Sequence, residues 1–394
     1  MSASAAHESA GRDPVLFQEI QGRDGRRIGV ATLNSPQTLN GLSLPMCRLL
    51  DERLQAWAAD DSLVAVVLNG AGGKAFCAGG DLHALYRSML DSPADDPWAN
   101  AAARAFFETE YRLDYRIHCY PKPVLCWASG IVMGGGVGLM LGASHRIVTG
   151  TTRFAMPEVT IGLFPDVAGT WMLSRLPRGI GTFLAFTGAQ LGAGDCLHYG
   201  LADRVCEAEG LEALLAALAA VDWAADPGSH AVQVDAVLDA CQTPAPEPGP
   251  LQRHAGSIRQ ACNRTGFLEI GAAIAAWKNH PDPWLARAAA TFLSGSPGSA
   301  RLSHTLLARA RHRSLAETFR TEFTASLHCC AEPDFREGIR ALLVDKDKTP
   351  HWNPATLEQA TADWAQRFLA PLEPAGQPHP LADLGAWTTG AAAS

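Results

Sequence analysis

In the first half of the chain, short apolar runs alternate with stretches whose apolar residues recur at helical spacing. Residues 15–20, 28–33 and 64–68 read as strands, the first two joined by a polar hairpin containing Gly22, Asp24 and Gly25. Residues 44–58 read as a helix: Ser43 is a candidate N-cap, and Leu50, Leu54 and Trp57 keep near 3.6-residue spacing. The apolar run 124–128 suits a buried strand, and Gly134, Gly135 and Gly136 then lead into a helix over 137–144. A second glycine turn has the same form, with Gly79 and Gly80 between the strand at 64–68 and a helix over 82–90 that Asp81 can cap. Between these turns, 99–115 reads as an amphipathic helix with Phe106, Phe107, Tyr111 and Tyr115 on one side and Glu110 beside them.

The second half is helical in period. An Ala/Leu helix over 211–220 is followed by 226–250, which ends in a run too rich in proline for regular structure and reads as a linker. Beyond it, 258–264, 270–277, 284–293 and 303–328 predict a helical region over 251–370. Asp334, with Glu337 three positions on, reads as the cap of a helix over 335–344. Gly338 inside that helix costs about 1 kcal/mol relative to alanine, so close packing is expected there. The pattern is that of an α/β core over 15–225 with a C-terminal helical region, and 1–14 and 371–394 read as disordered tails.

Composition narrows the partners. Hydrophobic residues make up 47% of the 394, ample for a large core, and a net charge of −8 argues against nucleic acid or an anionic membrane. Glycines interrupt the uncharged run 123–144, so it is a core element and not a membrane span. The N-terminal tail has neither an apolar signal region nor an Arg-rich amphipathic pattern, and a cytoplasmic protein is expected. Ten cysteines occur without Cys-x-x-Cys or zinc-ligand spacing, which predicts free thiols and no metal site. Cys77 beside the first glycine turn could be a nucleophile, but His83 is the only candidate base nearby in sequence, and a buried thiol is the better reading.

The candidate chemistry lies in the glycine turns. Each leaves backbone N–H groups free at a helix N-terminus, and two such turns can converge as an oxyanion hole for a thioester carbonyl. Glu158 and Asp166 follow in a Gly/Pro-punctuated loop.

Through Leu33-Asn34-Ser35-Pro36, the segments 70–82, 133–139, 154–169 and 334–354, the sequence resembles the crotonase (enoyl-CoA hydratase/isomerase) superfamily over about residues 17–364. Phe-Ala-Met-Pro-Glu-Val-Thr-Ile-Gly-Leu-Phe-Pro-Asp-Val and Ile-Arg-Ala-Leu-Leu-Val-Asp-Lys-Asp-Lys are most similar to its 3-hydroxyisobutyryl-CoA hydrolase branch. The resemblance implies a crotonase-type ββα superhelix and an acyl-CoA substrate, with coenzyme A part of that substrate and no other cofactor. It implies oxyanion donors at the N–H groups of Gly80 and Gly135, an acid/base role for Glu158, and a substrate contact at Glu110. Asp166 stands where this branch has aspartate and hydratases usually have glycine. Gly138 stands where hydratases carry the first of their two glutamates. The implied reaction is hydrolysis of a short branched 3-hydroxyacyl-CoA, in first place 3-hydroxyisobutyryl-CoA in valine breakdown, by a chain that can also form homo-oligomers. An enoyl-CoA isomerase or hydratase, and a non-catalytic acyl-CoA binder, are the alternatives.

Overall fold

In the computed structural model, which describes residues 13–23, 25–93, 96–244 and 246–386, the strands form two sheets whose successive members alternate along the chain. The strands are β1 (Val15–Gln21), β2 (Arg27–Leu33), β3 (Leu63–Gly70), β4 (Ala75–Cys77), β5 (Val124–Ala128), β6 (Ile131–Met133), β7 (His145–Thr149), β8 (Arg153–Ala155) and β9 (Arg204–Cys206). The larger sheet has the order β1-β2-β3-β5-β7-β9, parallel except for the β1–β2 hairpin, and the smaller is the parallel set β4-β6-β8. Each pass runs from a long strand into a short one and out into a helix, so ββα units stack side by side along the two sheets. This is the α/β superhelix expected from the resemblance.

Residues of β5 are buried throughout, as are those of β3 up to Asn69, because helices cover both faces of the sheet. One face packs on helices α1 (Leu44–Ala58), α2 (Leu82–Leu90), α3 (Ala101–His118) and α4 (Gly135–Gly142) and on the C-terminal helices. Ser43 and Asp81 cap α1 and α2 as the sequence predicts, accepting from the N–H groups of Met46 at 3.4 Å and Ala84 at 3.0 Å. The helix expected over 99–115 starts after its cap, Asn100, and continues to His118.

Several expectations change in three dimensions. The stretch 226–250 is not simply a linker: it contains the helix His230–Cys241, whose Val234 and Leu238 join Leu214 and Leu218 against Ile28, Val64 and Ile147 on the other sheet face. Of its described Pro-rich residues, 244 and 246–249 lack regular structure, while Pro250 opens the short helix Pro250–Arg253. The run 303–328 is two helices, Pro297–Ala310 and Leu315–Ala331, because Ser314 and Glu317 form a capping box that restarts the chain. Asp334 is not a cap. Glu332 holds that position before Pro333, while the Asp334 carboxylate accepts the Ser296 hydroxyl at 2.6 Å and the Asn353 N–H at 2.7 Å, tying three segments together. Gly338 packs as expected, since a side chain there would run into the backbone of Ile161.

The C-terminal segment also departs from expectation. Residues 371–386 are ordered against the protein, with Leu381 and Leu384 buried and Arg112 paired to Asp383 at 2.9 Å. The rest of that expected tail, 387–394, lies outside the described residues, as do 1–12 of the N-terminal one. Among the described residues no helix is long and apolar enough to cross a membrane.

Candidate active site

Strands β4 and β6 are parallel neighbours, so the turns that follow them emerge side by side. Gly134 has φ 50° and ψ −123°, a backbone conformation that side chains exclude, and this turn brings Gly134 Cα and the Gly135 nitrogen within 3.8 Å of where a Cβ on Gly79 would stand. Gly135 opens α4, at the positive end of the helix dipole. Among the described residues, the N–H groups of Gly80 and Gly135 donate to no protein acceptor. Both glycines line a cavity of about 610 Å³.

Three carboxylates reach the same cavity from three elements. Glu158 starts the short turn Glu158–Ile161, Glu110 comes from α3, and Asp166 comes from the loop before the helix Gly169–Arg175. All five residues expected from the sequence therefore line one cavity. Glu158 Oε1 lies 3.3 Å from the position of a Cβ on Gly134, and Glu110 presses on Gly135 so closely that a side chain there would strike its Oε1. Asp166 accepts the Tyr111 hydroxyl proton at 2.7 Å, and the Tyr111 oxygen is 2.8 Å from Ser326 Oγ.

The backbone after Asp166 is strained. Val167 and Ala168 have φ values of 51° and 64°, and a left-handed β-branched residue costs of order 1–3 kcal/mol. Glu322 from the C-terminal helices offsets this by accepting the Ala168 N–H at 2.8 Å, the Thr170 N–H at 3.1 Å and the Thr170 hydroxyl.

The electrostatics follow from burial without cations. Glu110, Asp114, Glu158, Asp166 and Glu322 are at most 5% exposed, and among the described residues none forms an ion pair. Burial pushes the Glu158 carboxyl well above the usual range, with the neighbouring Asp166 charge adding to the effect. Burial also pushes Asp166 up, to about 6, against the Tyr111 hydrogen bond, which favours its charged form. Of the two, Asp166 is the readier to carry the charge, because the Tyr111 hydroxyl stabilises its carboxylate. Glu110 is raised as well, by burial first and by Asp166 second.

Asp114 lies one helical turn beyond Glu110, and neither of its buried oxygens has a protein partner. A Cβ on Gly138 would stand 2.8 Å from Asp114 Oδ2 and 2.7 Å from Val167 Cβ, so no glutamate fits at position 138. Burial, then repulsion from Glu110, pushes the Asp114 carboxyl well above its usual range. The folded protein keeps a proton that the unfolded chain releases above about pH 4, so rising pH favours unfolding by about 1.4 kcal/mol per unit until this group ionises. Asp114→Asn removes that dependence. The melting temperature of the variant is therefore expected to gain on the wild type as pH rises above the ordinary carboxylate range, and parallel melting curves would exclude the assignment.

Cys77 is buried, with its thiol pushed up to about 12 by desolvation, so it is no nucleophile. Asp114, Glu322 and Ser326, and the role of Tyr111, went unnoticed in the sequence. A usable signal existed: Glu110 and Asp114, like Glu322 and Ser326, stand four apart on helix faces otherwise filled with buried aromatics.

Comparison with known proteins agrees with this fold. The Enoyl-CoA hydratase/isomerase family matches residues 28–369. The chain is 34% identical to a mitochondrial 3-hydroxyisobutyryl-CoA hydrolase of Danio rerio, covering 95% of this chain and 92% of that one. It is 33% identical to 3-hydroxyisobutyryl-CoA hydrolase 1 of Arabidopsis thaliana, covering 93% and 94%. Among solved structures, a carnitinyl-CoA dehydratase from Mycobacterium thermoresistibile superposes with a TM-score of 0.80 at 36% identity, over 92% of this chain and 98% of that one. An enoyl-CoA hydratase from Rhodobacter sphaeroides does so at 0.79 and 33%, over 91% and 98%.

Proposed function

Since the chain belongs to the enoyl-CoA hydratase/isomerase (crotonase) family of acyl-CoA enzymes, we propose that it hydrolyses a short branched 3-hydroxyacyl-CoA thioester, in first place 3-hydroxyisobutyryl-CoA, to the hydroxy acid and free coenzyme A. The observation that carries this reading is the pairing of Asp166 with Glu158 at the glycine turns, in a site where Gly138 leaves no room for a second hydratase glutamate. A syn hydration by two glutamates needs the missing side chain. Hydrolysis needs one charged and one protonated carboxyl, and that is the proton distribution the burial and the Tyr111 hydrogen bond favour.

The chemistry then runs as follows. The thioester oxygen accepts from the Gly80 and Gly135 N–H groups, which are fixed before the substrate arrives and strengthen as that oxygen becomes an anion. Asp166 takes a proton from water as the water oxygen bonds to the carbonyl carbon. The carbon–sulfur bond breaks as the oxyanion collapses, and the departing thiolate takes the Glu158 proton. Glu110, pressed against Gly135, holds the acyl end of the substrate.

A direct test is a panel of 3-hydroxyacyl- and enoyl-CoA thioesters, with thiol release and hydration followed in parallel. Release from 3-hydroxyisobutyryl-CoA with poor hydration of crotonyl-CoA is expected. Efficient hydration without thiol release would instead support the hydratase reading, and neither activity would point to a binder.

A further inference from the structure

A second cavity, of about 210 Å³, lies beyond the strained turn, with Ala168 in its wall where Val167 faces the catalytic cavity. Its polar side chains are His118, Arg146, Trp171, Arg175 and Tyr199. The indole N–H of Trp171 and Nε2 of His118 are both buried with no protein hydrogen-bond partner, and a bound acceptor would satisfy the indole N–H and, in its Nε2–H tautomer, His118. The Arg175 guanidinium stacks 4.0 Å over the Trp171 ring and donates to the carbonyl oxygens of Trp171, Ala310 and Arg313, so among the described residues no carboxylate neutralises it. Arg146, also in the wall, is neutralised: it holds both oxygens of Asp203, at 2.9 and 2.7 Å. Among the described residues no Asp or Glu lines the cavity, and Leu141, Met172, Leu176 and Leu201 supply its apolar wall.

From this cluster we propose that the second cavity binds the carboxylate of a short-chain acid, with the anion on Trp171 Nε1, His118 Nε2 and Arg175 and the alkyl part against the leucines and Met172. The volume limits the ligand, since drug-sized molecules occupy cavities of roughly 300–1,000 Å³. The indole is a donor only, His118 donates from Nε2 in one tautomer, and Arg175 carries an unneutralised charge, a set that selects an anion over a neutral alcohol or amide. The apolar remainder of the wall favours an alkyl carboxylate over a fully hydrated inorganic anion.

The test uses the full chain and sodium isobutyrate, followed by the Trp171 indole resonance in a proton–nitrogen correlation spectrum, assigned by its loss in Trp171→Phe. A saturable shift is expected with isobutyrate and none with sodium chloride at equal ionic strength. Arg175→Gln should weaken binding roughly tenfold or more, as expected for losing one charge-assisted hydrogen bond. Glu158→Gln, in the other cavity, should leave it unchanged. The proposal is overturned if the resonance does not saturate, if chloride or phosphate shifts it equally, or if a folded Arg175→Gln protein binds as the wild type does.

Discussion

Glu158→Gln is expected to lower kcat for thioester hydrolysis by about 100-fold or more while leaving KM close to the wild-type value. The substitution is nearly isosteric, and Glu158 lies against Gly134 without an ion pair, so the glycine turns should keep their form. One Glu158 oxygen is buried with no protein partner, as suits a group whose task is toward the substrate and not toward the fold. What the amide lacks is a transferable proton, so the thiolate must leave unprotonated. Single-turnover thiol release measured beside substrate binding separates these effects. A variant that turns over at a near-native rate would remove Glu158 from the chemistry.

Asp166→Asn is the second large effect, and it separates hydrolysis from the nearest alternative. In an isomerase that relies on Glu158 alone, Asp166 would be a bystander in a loop. In the hydrolase its charged form is the base, so kcat/KM should rise with pH through a limb near the Asp166 value of about 6 and level off above it. The sign follows from the role: raising pH removes the proton that blocks the base. Asp166→Asn should reduce hydrolysis by about 100-fold or more and abolish that limb. An amide can still accept from the Tyr111 hydroxyl, and Glu322 holds the following turn independently, so the variant should melt near the wild-type temperature. A folded Asp166→Asn or Asp166→Gly protein that hydrolyses the thioester normally would make Asp166 structural and leave the isomerase reading ahead.

The parts of this site legible in the sequence are those with a local signature. A glycine turn between a strand and a helix is local chemistry, and so are the caps Ser43 and Asp81, which the structure places as expected. Asp334 shows the limit of such signatures. Its spacing to Glu337 is that of a cap, yet the helix starts two residues earlier, at Pro333, which frees the Asp334 carboxylate for Ser296 and Asn353, distant in sequence. The helix His230–Cys241 was hidden for a related reason. Its apolar residues do not mark one face, and which of them are buried, Val234 and Leu238, depends on a sheet face built from residues far upstream.

By itself the sequence determined the alternation of strands and helices in the core, the two glycine turns, and the residue types available for chemistry, because period, turn geometry and capping depend on neighbours a few positions apart. Only the tertiary structure decided that Glu110, Glu158 and Asp166 share one cavity and that Asp114 fills the space beside Gly138. It also decided that Glu322, over a hundred and fifty positions from Ala168, holds the strained turn. Those outcomes rest on burial and on repulsion between carboxylates. Both depend on distances through space, so the raised affinity of Asp166 and Glu158 for a proton is a property of the packed site and of no segment alone.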